Sequence, residues 1–121
     1  MTLPAFIIVF SSVFLSAVAQ LSFKYGVSSV DLEQYSNLFY KAWFLFTSPF
    51  VILGLALYGV GTILWLFALK QLDLSLAYPF VGMSFLFVLV FSIIFLQEPF
   101  SLNRLAGTVV IIFGIIILSK S

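Results

Sequence analysis

The sequence predicts an all-α membrane protein: four transmembrane helices, with a short amphipathic helix at the membrane surface between the first and the second. Three observations predict it. The 121 residues are 64% hydrophobic and 7% charged, with a mean hydropathy of +1.29; a soluble chain is roughly 45–50% apolar and about 25% charged. Too few charged side chains remain to cover a core of that size. Second, four runs are long enough to cross roughly 30 Å of hydrocarbon, which takes about 20 apolar residues. Third, the residues between the runs are those that start and stop helices.

The first run extends from about Leu3 to Tyr25. Ala17-Val18-Ala19 resembles a small-residue cleavage site, but residues 1–10 carry no Lys or Arg and three more spans follow. The run is therefore read as a retained helix rather than a signal peptide. In residues 26–48, Ser28-x-x-Asp31 resembles a capping box. Leu32, Tyr35, Phe39, Trp43 and Phe46 then recur at helical spacing among polar residues. This fits a helix lying in the interface, and an ordered loop is the alternative.

The second span runs from about Pro49 to Leu69, with Thr47 or Ser48 as N-cap and Pro49 at the first helical position, where its missing N–H costs nothing. The third runs from about Ser75 to Leu96 and is stopped by Glu98-Pro99, because a residue before proline avoids helical geometry. The fourth runs from about Leu102 to Leu118, with Ser101 as its cap. The tight link Gln71–Leu74 predicts that spans two and three are antiparallel neighbours. Residues 1–121 thus read as one four-helix domain. Orientation is weakly specified: Lys24, Lys41 and Arg104 fall on one side, Lys70 and Lys120 on the other.

Several classes of function are excluded. There is no cysteine and no histidine, which removes thiolate chemistry, the commonest general base and the commonest metal ligand. The carboxylates Asp31, Glu33, Asp73 and Glu98 fall in loops or at helix ends, with no pair on one helix face. No enzyme, metal or cofactor is expected. The net charge of +1 has no basic run to suit nucleic acid.

Four features could carry function. Ser12, Ser16, Gln20 and Lys24 recur at every fourth position of the first span, a polar ladder about 18 Å long that drifts about 40° per step. In lipid, Gln20 must face protein, water or a ligand. Against a functional role, serines suit close helix contacts and Lys24 can snorkel to the headgroups. The second feature is Glu98 with Arg104. Each has the wrong sign for its helix end, which suggests a mutual salt bridge or a bound partner; two solvated loop charges are the plain alternative. The third is Ala77-Tyr78-Pro79, where Tyr78 offers a hydroxyl near the interface or belongs to an aromatic belt. The fourth is Gly107 and Gly114, seven apart on one face of the last helix, which permits close helix packing, including across a dimer.

These residues carry a family resemblance. Leu21-Ser22-Phe23-Lys24 closing the first helix, Ala77-Tyr78-Pro79 opening the third, Leu96-Gln97-Glu98-Pro99 and the glycine-bearing fourth helix resemble the drug/metabolite transporter superfamily. Within it the chain looks like the small EamA-like members, above all the paired subunits of the flippase for undecaprenyl-phosphate-linked aminoarabinose. More distantly it is similar to the small multidrug resistance exporters. In those exporters a membrane-embedded glutamate binds protons and cations in turn; aligning Lys24 with their helix-one lysine puts Ser16 at that place, and serine exchanges no proton near neutral pH.

The resemblance therefore implies a transporter subunit of the bacterial inner membrane. It would flip a polyprenyl-phosphate-linked sugar or related anionic lipid, and work as a homodimer or with a similar small membrane protein. Lys24, with Arg104, would hold the phosphate, while Gln20, Ser16 and Tyr78 meet the headgroup. Two other readings stand beside it: a proton-coupled exporter of small cations with Glu98 as the acid, and a non-transporting partner subunit.

Overall fold

The computed structural model describes residues 2–120. Its helices are α1 (Leu3–Ser29), α2 (Leu38–Phe46), α3 (Pro49–Gln71), α4 (Leu74–Ala77), α5 (Met83–Ile94) and α6 (Leu102–Ser119), with 3₁₀ segments at Leu32–Gln34 and Tyr78–Gly82. No strand occurs among the described residues. Among the described residues four stretches are long and apolar enough to cross a membrane: α1, α3, Leu74–Ile94 and α6. The chain is an integral, multi-pass membrane protein.

The helix starts follow local chemistry. Thr2 caps α1 by accepting the Ala5 N–H, and Asn37 caps α2 by accepting the Phe39 N–H. Ser48 is the N-cap residue of α3, but its hydroxyl makes no capping bond. Ser28 lies inside α1, so no capping box forms; Asp31 instead accepts the Glu33 N–H at the start of the first 3₁₀ turn. The amphipathic helix is correspondingly shorter than its sequence pattern. It begins at Leu38, and Tyr35 folds back to stack on Phe44 at 4.3 Å. No residue of α2 is buried, and its exposed Phe39, Trp43 and Phe46 suit the membrane–water interface.

The third span is not one continuous α-helix. Pro79 has no N–H for the Ser75 carbonyl, and the chain tightens into 3₁₀ geometry over Tyr78–Gly82 before α5 begins. There Gly82 lies close under Ile111 and Ile115 of α6. The α-helix ends at Ile94, two residues before the expected Leu96. Gln97 then takes a left-handed backbone, φ 54°, and the Glu98 N–H donates to the Ser92 carbonyl at 3.0 Å. An L-residue in that region carries about 1–2 kcal/mol of strain that glycine avoids. Gln97→Gly should therefore stabilise the chain by about 1 kcal/mol, read as a higher midpoint of thermal unfolding in detergent.

Packing runs in the order α3–α1–α5–α6, with α1 against α3 the most extensive interface. The expected pairing of spans two and three gives way to this order, because α1 lies between α3 and α5. Those two spans meet only near their tight link, where Ala68, Leu72, Leu76 and Phe80 join one apolar cluster. The α1–α3 seam is built from small residues. Ser12 Oγ donates to the Gly61 carbonyl at 2.7 Å and Ser22 Oγ to the Phe50 carbonyl at 2.6 Å. A Cβ on Gly54 would lie 2.7 Å from the Phe23 ring. The buried set is mostly Ala and Val, while most Phe, Leu and Ile point outward. That inversion is expected in lipid, where close van der Waals packing, not escape from water, joins helices.

Candidate functional site

The polar ladder does not form one wall. Three steps of about 40° turn it through about 120° between Ser12 and Lys24, and the structure distributes its members accordingly. Ser12 is buried against α3 and bonded there. Ser16 lines a cavity of about 330 Å³ together with Tyr58, Thr62, Tyr78 and Ser84. Gln20 and Lys24, further along and round α1, line a cavity of about 240 Å³ between α1 and α5 that Ser92 and Glu98 also line. The two cavities succeed one another along α1: one ends at Ser16 and the other begins at Ala17.

Glu98 belongs to a third space as well. A cavity of about 330 Å³ between α5 and α6 is lined by Ser92, Glu98, Asn103, Arg104 and Gly107. Glu98, half-buried, thus stands between Lys24 on one side and Arg104 on the other. The expected salt bridge between Glu98 and Arg104 is not formed: among the described residues no ion pair within 4.0 Å joins Glu98 to either cation. The turn over 95–98 aims the glutamate at both cavities while both cations stay exposed.

Two residues that sequence reasoning passed over fix this turn. The Tyr25 hydroxyl donates to the Phe95 carbonyl at 3.1 Å, tying α1 to the end of α5 beside Lys24. Ser92 lines both charged cavities and receives the Glu98 N–H. An isolated serine deep in an apolar run was the available signal. Thr62, Ser84 and Thr108 carry the same signal, yet each bonds back to the preceding turn of its own span, to the Tyr58, Val81 and Arg104 carbonyls respectively. Gly114 lines none of these cavities and has open space beside it. A further cavity of about 580 Å³ is lined almost wholly by apolar residues such as Phe6, Phe80 and Ile115 and is lined by no charged side chain.

Four apolar spans that share one apolar cluster, with polar cavities opening between them, make a small helical membrane protein. Residues 31–120 match the EamA-like transporter family. The chain belongs to that family. It is 35% identical over 120 residues to the probable 4-amino-4-deoxy-L-arabinose-phosphoundecaprenol flippase subunit ArnF of Shewanella sediminis, covering 87% of this chain and 80% of that protein. The ArnF subunit of Serratia proteamaculans is 32% identical over 113 residues, 87% of this chain and 84% of that one. The ArnE subunit of Aeromonas hydrophila is 37% identical over 76 residues, 63% of this chain and 67% of that one. No solved structure matches the chain.

Proposed function

We propose that the chain is one subunit of a dimeric flippase of the bacterial inner membrane, carrying a polyprenyl-phosphate-linked sugar or a related anionic lipid. The observation that carries this is the succession of cavities along α1. Lys24 and Gln20 line the first, Ser16 and Tyr78 the second. A phosphate held by the Lys24 ammonium gains charge-assisted hydrogen bonds. A sugar moving along α1 exchanges water for the hydroxyls of Ser16, Tyr58 and Tyr78, which lowers the cost of taking polar groups across hydrocarbon. The prenyl tail stays in lipid. The names of the curated relatives support the same substrate class.

The cavities along α1 are small, so a second subunit would complete the path. The glycine face of α6 suits it, since a Cβ at Gly107, which lines the α5–α6 cavity, or at Gly114 would meet nothing within 4 Å. The exporter reading, with Glu98 as the acid, draws on the exposure of Glu98 to two cavities.

The test is reconstitution. Vesicles holding the chain, alone and with a second small family member, are loaded with a fluorescent polyprenyl-phosphate sugar, and its exposure to an impermeant quencher is followed. Faster exchange than in protein-free vesicles is expected, with no acceleration for an uncharged prenol sugar. Equal rates in all vesicles would refute the proposal. Transport of a lipophilic cation instead would favour the exporter.

A further inference from the structure

We infer that Ser48 is a switch residue for a rocking motion of α1: its hydroxyl goes without a hydrogen bond while the C-terminal half of α1 leans on α3, and caps α3 when that half rocks towards α5. The switch belongs to the fold; its use in transport rests on the lipid-phosphate reading above.

Among the described residues, Ser48 Oγ is the one buried side-chain polar atom with no hydrogen-bond partner. A buried hydroxyl that forgoes its bonds costs free energy. Suitable donors are at hand. Ser48 is the N-cap residue of the 23-residue helix α3, whose first N–H groups have no acceptor within the helix, and serine is among the best residues for accepting from them. Yet the hydroxyl makes no capping bond. The obstacle is α1. A Cβ on Gly26 would lie 3.2 Å from Ser48 Oγ and 2.9 Å from the Val51 backbone nitrogen, so Gly26 is wedged against both the hydroxyl and an N–H that it would cap. Val51 Cγ2, 2.5 Å from the same point, leaves no room there for a bridging water.

α1 has two neighbours to lean on, since it lies between α3 and α5. Near its end the Ser22 hydroxyl ties it to the Phe50 carbonyl of α3 at 2.6 Å, and the Tyr25 hydroxyl to the Phe95 carbonyl after α5 at 3.1 Å. Midway, the Ser12 hydroxyl pins it to the Gly61 carbonyl at 2.7 Å, about 15 Å from Ser22 at helical rise. Ser12 is the pivot, and the half beyond it is the lever. With the lever on α3, the cavity of about 240 Å³ at Lys24 stands between α1 and α5. Rocking the lever towards α5 narrows that cavity around its contents, gives up the Ser22–Phe50 bond and lifts Gly26 off α3. Ser48 then caps α3, which offsets the bond lost. Two arrangements of similar free energy are what a bistable element requires.

The experiment uses Ser48→Ala and the conservative Ser48→Thr. Alanine removes a hydroxyl that is unsatisfied in the leaning arrangement and needed in the rocked one. It should raise the midpoint of thermal unfolding of the full chain in detergent, yet slow phosphate-lipid exchange in vesicles about five- to ten-fold, the loss of one N-cap. Ser48→Thr keeps the cap and should keep the rate within about two-fold of wild type. The chain has no cysteine, so spin labels at Val27→Cys and Ile52→Cys, both exposed, report the α1–α3 distance. Wild type should show two distances and Ser48→Ala only the shorter. A midpoint lowered or unchanged in Ser48→Ala overturns the inference, as does a single distance in wild type, or an exchange rate in Ser48→Ala equal to that of wild type. If wild type moves no lipid but the midpoint and distances behave as expected, the transport reading fails and the switch stands.

Discussion

Replacing Lys24 by alanine is expected to slow phosphate-lipid exchange in reconstituted vesicles by about ten- to a hundred-fold while leaving the fold intact. Among the described residues, Lys24 is the one cation lining the α1–α5 cavity. A hydrogen bond to a charged group contributes about 1.5–3 kcal/mol, which converts to about ten- to a hundred-fold in affinity. The loss is compounded because Glu98 lines the same cavity. Without the ammonium, the only formal charge left there is negative, and it repels the phosphate that the lysine attracted. The change should leave stability almost untouched, since Lys24 is exposed and, among the described residues, its side chain makes no hydrogen bond or ion pair. Lys24→Arg keeps the charge and should retain most of the rate. Equal rates for wild type and Lys24→Ala would remove Lys24 from the site and leave it a residue that snorkels at the membrane edge.

Much of the fold was legible because lipid imposes blunt requirements. Twenty apolar residues, Pro49 at a helix start and Pro99 after Glu98 define spans without reference to tertiary contacts. What could not be read depends on which neighbour a residue meets. The third span looks continuous in sequence, yet Pro79 removes one bond and close packing of Gly82 against Ile111 and Ile115 favours the tighter 3₁₀ path. Its last turn looks helical to Leu96, but the Tyr25 hydroxyl and the Ser92 carbonyl draw residues 95–98 into a different turn. The ladder is the clearest case at the site. Its period was visible, and so was its drift, but not that the drift would hand Ser12 to α3 and Lys24 to α5. Glu98 and Arg104 are close in sequence and line one cavity, yet they do not pair; proximity set by a turn does not fix the direction of two long side chains.

The glycines supply the second large effect, because sequence presents them alike and structure divides them. Gly26 lies where α1 packs closely against the start of α3. A Cβ there would sit 2.5 Å from Val51 Cγ2, 2.9 Å from the Val51 backbone nitrogen and 3.2 Å from Ser48 Oγ. The first of those atoms can rotate away. The second is backbone at the start of α3, so the helices must separate, and the Ser22–Phe50 bond one turn away is stretched with them. Overpacking of this kind costs about 1–3 kcal/mol. Gly26→Ala should therefore lower the unfolding midpoint clearly, and Gly26→Leu should prevent recovery of folded protein. At Gly114 the same added carbon meets nothing within 4 Å, and alanine is a better helix former than glycine by up to about 1 kcal/mol. Gly114→Ala should be neutral or stabilising in the isolated chain. Gly114→Leu then separates fold from assembly: an unchanged midpoint in detergent with loss of cross-linked dimer in membranes places the second subunit on α6. A dimer that survives Gly114→Leu with its cross-linking yield intact puts the partner on another face. The apolar side of α3 would be next, where Leu55, Tyr58, Ile63 and Leu66 are exposed and Gly59 has open space beside it.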